Sequence, residues 1–111
     1  MTRLNENLLS ALRARILKSR RIICEGMLTA VTISKPYYVF LTEREMLFYG
    51  LFTSDGFVSS INEGSLETIR LAGVSRVDCN GQKLLLTVQC EVFAFFCEDP
   101  AQWKGFIEKL L

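Results

Sequence analysis

Apolar residues recur along this chain with two different periods, and the change of period divides it. Leu4, Leu8, Leu12 and Ile16, with Leu9 beside them, follow the three-to-four residue spacing of one helix face, and Thr2 stands at an N-cap position. From Arg21 the pattern turns to β-branched and alternating residues. Residues 22–33 predict a first strand with Gly26 as a bend or bulge, Ser34-Lys35-Pro36 a turn, and residues 37–42 a second strand. Glu43-Arg44-Glu45 reads as a tight polar turn and residues 46–50 as a third strand. Residues 53–56 and 59–65 are turn-rich and predict the longest irregular stretch, with a short strand around Phe57-Val58. Alternation then marks strands at 65–71 and 74–79, separated by Gly73. Asn80-Gly81 is the strongest hairpin signal, and it leads into residues 83–90, where Leu84, Leu86 and Val88 share a face. Residues 91–97 follow as a seventh strand, nearly apolar throughout.

The last stretch is a helix. Trp103, Phe106, Ile107 and Leu110 stand at i, i+3, i+4 and i+7, which places all four on one face. Asp99 suits the N-cap, Pro100 the first helical position, and Gln102 completes an Asp-x-x-Gln capping box. A single amphipathic helix after a β-rich chain plugs the open end of a barrel or sandwich. With no repeat or linker in between, the expected organisation is an N-terminal amphipathic helix at 1–20 and one β-rich domain at 21–111.

Seven antiparallel strands followed by a helix is the order of the pleckstrin-homology (PH) superfold, and the residues resemble it too. Residues 38–50, from Tyr38-Val39-Phe40-Leu41-Thr42 through Met46-Leu47-Phe48-Tyr49-Gly50, are similar to the second hairpin of GRAM-like and bacterial PH-like domains. Residues 69–77 resemble the passage to the second sheet, and residues 99–111 the closing helix. The helical start and Glu25-Gly26 are similar to bacterial PH-like proteins that begin with a helix. The resemblance spans residues 20–111. It implies a mainly β (α+β) fold: a PH-like seven-stranded antiparallel barrel or sandwich capped by a C-terminal α-helix, plus an N-terminal helix.

Composition narrows the function. The 111 residues, half of them hydrophobic, suffice for one real core. There is no histidine, which removes ordinary Ser-His and Cys-His dyads, and no phosphate-binding loop or zinc-protease motif appears. The expectation is a protein that is not an enzyme. Cys24, Cys79, Cys90 and Cys97 form no Cys-x-x-Cys pair, so neither metal nor cofactor is expected, and the thiols read as free and buried. Cys90 and Cys97 are expected to flank a hairpin, which makes a bridge conceivable. The start of the chain lacks a signal peptide and no apolar run is long enough to span a bilayer, so a cytoplasmic protein is expected, with peripheral membrane attachment as the alternative.

Charge is uneven. Residues 1–21 carry six basic residues against Glu6 alone, while the remainder carries seven basic and eleven acidic. Two binding functions follow from different classes. The first is protein–protein interaction or self-association. The PH resemblance implies peptide binding along a strand edge or beside the terminal helix, and Leu51, Phe52, Phe57 and Val58 flank a loop that suits such a contact. The second is an anionic membrane surface met by Arg13, Lys18, Arg20, Arg21 and Lys35, at roughly 1 kcal/mol per residue. Phosphoinositide-binding relatives carry a basic pair after the first-hairpin lysine; here Tyr37 and Tyr38 follow Lys35. Near-neutral net charge and the absence of a groove-reading helix argue against nucleic acid. Phe40, Phe48, Phe93, Phe95, Phe96 and Trp103 are expected to fill the barrel, leaving no room for a small ligand.

Overall fold

The central strands are apolar on both faces, and the structure buries both. The computed structural model describes residues 6–55 and 57–111, and the side chains of Phe57, Ser59 and Glu63 lie outside the described set. Thr2 and Leu4 of the expected first helix also fall outside it. The elements are α1 (Glu6–Leu17), β1 (Ile22–Ala30), β2 (Lys35–Thr42), β3 (Glu45–Ser54), β4 (Phe57–Arg70), a single 3-10 turn (Leu71–Gly73), β5 (Val74–Asn80), β6 (Lys83–Val88), β7 (Glu91–Phe96) and α2 (Pro100–Leu110). All strand pairs are antiparallel, in the order β4-β3-β2-β1-β7-β6-β5, so β4 and β5 are the open edges.

Alternation sorts the side chains into two cores. Tyr37, Val39 and Leu41 of β2, with Met46 and Phe48 of β3, face inward against Leu84, Leu86, Phe95 and the helix α2. Their neighbours Tyr38, Phe40, Leu47, Tyr49 and Leu51 face outward, where Leu9, Leu12 and Ile16 of α1 cover them. A strand that is apolar at every position is stable only when both faces are covered. In β2 and β3 the second cover is α1. At the other end of the chain, Asp99 Oδ1 accepts from Gln102 N–H at 3.1 Å and starts α2. Trp103 and Ile107 are buried and Phe106 and Leu110 pack half-buried against the inner core.

Several local expectations are corrected. Residues 59–65 are irregular only in part: they lie within β4, where Ser60 and Ile61 pair with Phe52 and Leu51 of β3, whereas residues 62–65 bulge between the pairs Leu51↔Ile61 and Tyr49↔Leu66. Partner strand β3 imposes the extended form on Ser60 and Ile61, while turn character survives at Gly64, whose N–H donates to Asn62 Oδ1 at 3.1 Å. Gly26 is not a bend; it pairs regularly with Val39, and the Trp103 ring lies 3.5 Å from where its Cβ would stand. The first turn is residues 31–34, with Ser34 at φ 51°, and Lys35 and Pro36 already belong to β2. The Asn80-Gly81 hairpin turns on Gly81-Gln82, with positive φ at Gly81 and the closing pair Asn80↔Lys83. Cys90 and Cys97 stand at opposite ends of β7, about 20 Å apart at strand rise, which excludes a bridge. All four cysteines are free, but Cys79 and Cys90 are exposed rather than buried.

Candidate interaction surfaces

Two residues of the basic segment are committed to ion pairs within the molecule. Arg13 ion-pairs with Glu25, donating from Nε to Oε1 at 2.6 Å, and the Tyr38 hydroxyl donates to the same oxygen at 2.8 Å. This carboxylate holds Arg13 charged well above the ordinary arginine range. Burial, then the Glu25 bond, pushes the Tyr38 phenol up to about 12. The triad thus fastens α1 to β1 and β2. Arg20 ion-pairs with Glu45 at the β2–β3 turn. Lys18 and Arg21 are exposed.

Lys35 does not join them. Arg21 precedes the β1 end where Ile22 pairs with Thr42, whereas Lys35 pairs with Ala30 at the far end. Nine residues of strand separate the two, about 27 Å. There Lys35 Nζ sits 5.0 Å from the centre of the Tyr37 ring, and the Tyr37 hydroxyl donates to Glu67 Oε2 at 3.0 Å. The structure instead brings Arg20 and Arg21 near Arg44 and Arg70, which sequence separation conceals.

The four residues at the β3–β4 hairpin are also divided. Leu51 is buried and Val58 packs half-buried beneath α1. Phe52 is exposed, and the side chain of Phe57 lies outside the described residues. They form no common patch among the described residues.

A larger apolar surface lies on β7. Register places Val92 beside Thr87, Ala94 beside Leu85, and Phe96 beside Lys83 on the outer face of the sheet. Val92 is 63% and Phe96 45% exposed, with Met27 of β1 at 38%. The expectation that Phe93, Phe96 and Phe40 fill one barrel is therefore corrected. Phe96 points outward, Phe93 is exposed at the barrel mouth, and Phe40 lies under α1.

The geometry of β1 extends this surface into a recess. β1 pairs with β7 only through Thr29↔Phe96 and Ala30↔Phe95, continued by Val31 N–H donating to Ala94 O at 3.0 Å. The earlier half of β1 leaves β7, and α2 fills the widening gap through Trp103. The result is a groove of about 620 Å³ lined by Met27, Thr29, Phe96, Gln102 and Trp103, with Glu98 among its polar residues. No group of residues suited to hold a metal occurs among the described residues.

No family description matches the chain, and no curated protein is similar to it in sequence. Among solved structures, the chain is similar to the C-terminal domain of an unknown protein from Leishmania infantum, with a TM-score of 0.67 at 9% identity over 96% of this chain and 98% of that one. It is similar also to a crystal structure of human RhoA in complex with the DH/PH fragment of PDZ-RhoGEF, at 0.61 and 19% identity over 97% of this chain. For the linker-DH/PH domains of p115-RhoGEF the values are 0.60, 14% and 97%. The chain spans about a third of the RhoGEF chains, 36% and 35% of their lengths. The shared architecture is PH-like; nothing in it singles out the GRAM-like subgroup.

Proposed function

From this PH-like fold, we infer that the chain is a non-catalytic module that binds a polypeptide across the outer face of β7 and into the adjoining groove beside α2. One observation carries the reading. β2, β3 and β7 are apolar on both faces, and α1 covers the outer face of the first two but stops short of the third. Val92, Ala94 and Phe96 form an open row continuous with Met27 and the recess at Trp103. Ordered β-strand side chains at a two-residue spacing suit an extended apolar segment, and the recess suits one large anchor. In this reading residues 21–111 form the binding domain and α1 serves as its accessory layer.

Selection from a random peptide library on the full chain tests this. Sequences with spaced apolar residues should be enriched on the natural protein and lost on the double variant Val92→Lys, Phe96→Glu. Light scattering across a concentration series separates the two classes of occupant: mass that rises with concentration, and falls back in the variant, identifies a second copy. Retention of all selected sequences by the variant contradicts the assignment.

The Arg13–Glu25–Tyr38 triad and the distance to Lys35 weigh against a membrane reading based on residues 13–21 with Lys35. Among the described residues no helix is long and apolar enough to cross a membrane.

A further inference from the structure

A second feature lies at the pole where β1 begins, remote from the β7 row, and goes beyond the reading above. Three segments converge there. Leu71 N–H donates to Arg44 O at 2.9 Å, which ties the 3-10 turn to the β2–β3 turn. Glu45 pairs with Arg70 across β3 and β4, and its carboxylate meets Arg20 from the α1–β1 link. Together they enclose a groove of about 840 Å³, with Leu71, Val74 and Leu110 toward its floor and Arg20, Arg44 and Arg70 among its lining. An adjoining recess of about 440 Å³ adds Arg21.

The charges of Arg20 and Glu45 answer each other. Arg21, Arg44 and Arg70 have no carboxylate at ion-pair distance among the described residues, and Glu43 is the opposing charge left in the lining. Arginine forks match carboxylates in planar, two-bonded geometry. A leucine and valine floor gains nothing from a bare anion and requires apolar surface to cover it. The complementary ligand therefore carries both features at side-chain spacing. We propose that this groove docks an acidic amphipathic polypeptide segment, in which Asp or Glu residues reach Arg44 and Arg70 while an apolar side chain enters over Leu71 and Val74.

The test is fluorescence anisotropy of the full chain with a labelled synthetic peptide alternating Asp and Glu with Leu and Phe. Binding should weaken by about tenfold or more in Arg44→Glu, Arg70→Glu, and should fall as salt rises. A control peptide with Ser in place of Leu and Phe should bind more weakly than the parent. Arg44 and Arg70 are exposed, so the fold should persist; should thermal unfolding shift, the neutral pair Arg44→Gln, Arg70→Gln serves instead. The variant Val92→Lys, Phe96→Glu should bind the acidic peptide normally, which separates this site from the β7 surface. No binding of the peptide, or equal binding by the arginine variants, overturns the proposal. So does sedimentation with phosphatidylserine vesicles, or saturation by inorganic phosphate, without peptide binding.

Discussion

Gln89 and Cys90 both hold positive φ, 50° and 70°, in the two-residue turn between β6 and β7. A type I′ turn requires that geometry at both central positions, and its preferred residues are Asn and Gly. L-residues with a bulky Cβ resist it, so the hairpin keeps local strain that its flanking pairs, Val88↔Glu91 onward, overcome. Replacement of Cys90 by Gly should raise stability by about 1 kcal/mol in urea unfolding. Gly50 is the reverse case. A Cβ there would meet Ser65 Oγ at 2.6 Å and Ser65 Cβ at 3.1 Å, beside the β3–β4 register shift. Gly50→Ala should therefore lower stability by about 1–3 kcal/mol. The thiols differ in the same local way. Exposed Cys79 and Cys90 should react first with a thiol reagent, and Cys24 slowly, because burial pushes its pKa up to about 11. Burial, followed by the Glu67 and Glu25 carboxylates, raises the Tyr37 and Tyr38 phenols from the ordinary 10 to about 12. The folded chain thus holds these protons more tightly than the unfolded one. Their contribution is complete below about pH 10 and is lost as the pH climbs toward 12, which absorbance titration against unfolding midpoints would show.

At the scale of elements, α1 acts as a lid over the outer aromatic face. Leu12 is wholly buried and Leu9 and Ile16 nearly so, against Tyr38, Phe40 and Tyr49. Leu12→Ala should cost about 2–5 kcal/mol, read in denaturant midpoints, and hydrogen exchange should quicken first in α1. The spacing of Leu8, Leu9, Leu12 and Ile16 made this helix legible, and the cap at Asp99 made α2 equally so. What covered the outer face was not legible, because an apolar run in a strand records burial on both sides without naming the cover. β4 was hidden for a different reason. Ser60, Asn62, Gly64 and Ser65 carry turn composition; pairing with β3 makes a strand of the residues on either side, and residues 62–65 bulge from it. Strand formation is decided between segments, whereas single-chain propensity is local.

At the scale of the molecule, the seven-stranded sheet folds over α2, receives α1 on one part of its convex side, and leaves the rest open. The seven antiparallel strands and the likeness to PH-containing structures were foreshadowed by the strand sequence and the terminal helix. The surfaces were not, since they are assembled from remote positions. Arg44 and Arg70 come to line one groove through β3–β4 pairing, and Phe96 and Met27 line one recess where β1 parts from β7. Conversely, Arg20 and Lys35, close in sequence, are separated by the full length of β1. The uncovered β7 row and the recess beside α2 are proposed to receive a polypeptide. Amide chemical-shift mapping of the full chain, titrated with the peptide returned by selection, tests it most directly. Shifts are expected at residues 27–29, 92–96 and 102–103. Shifts confined to the β4 edge, or to the barrel mouth around Ile33, Tyr37 and Glu67, would contradict it.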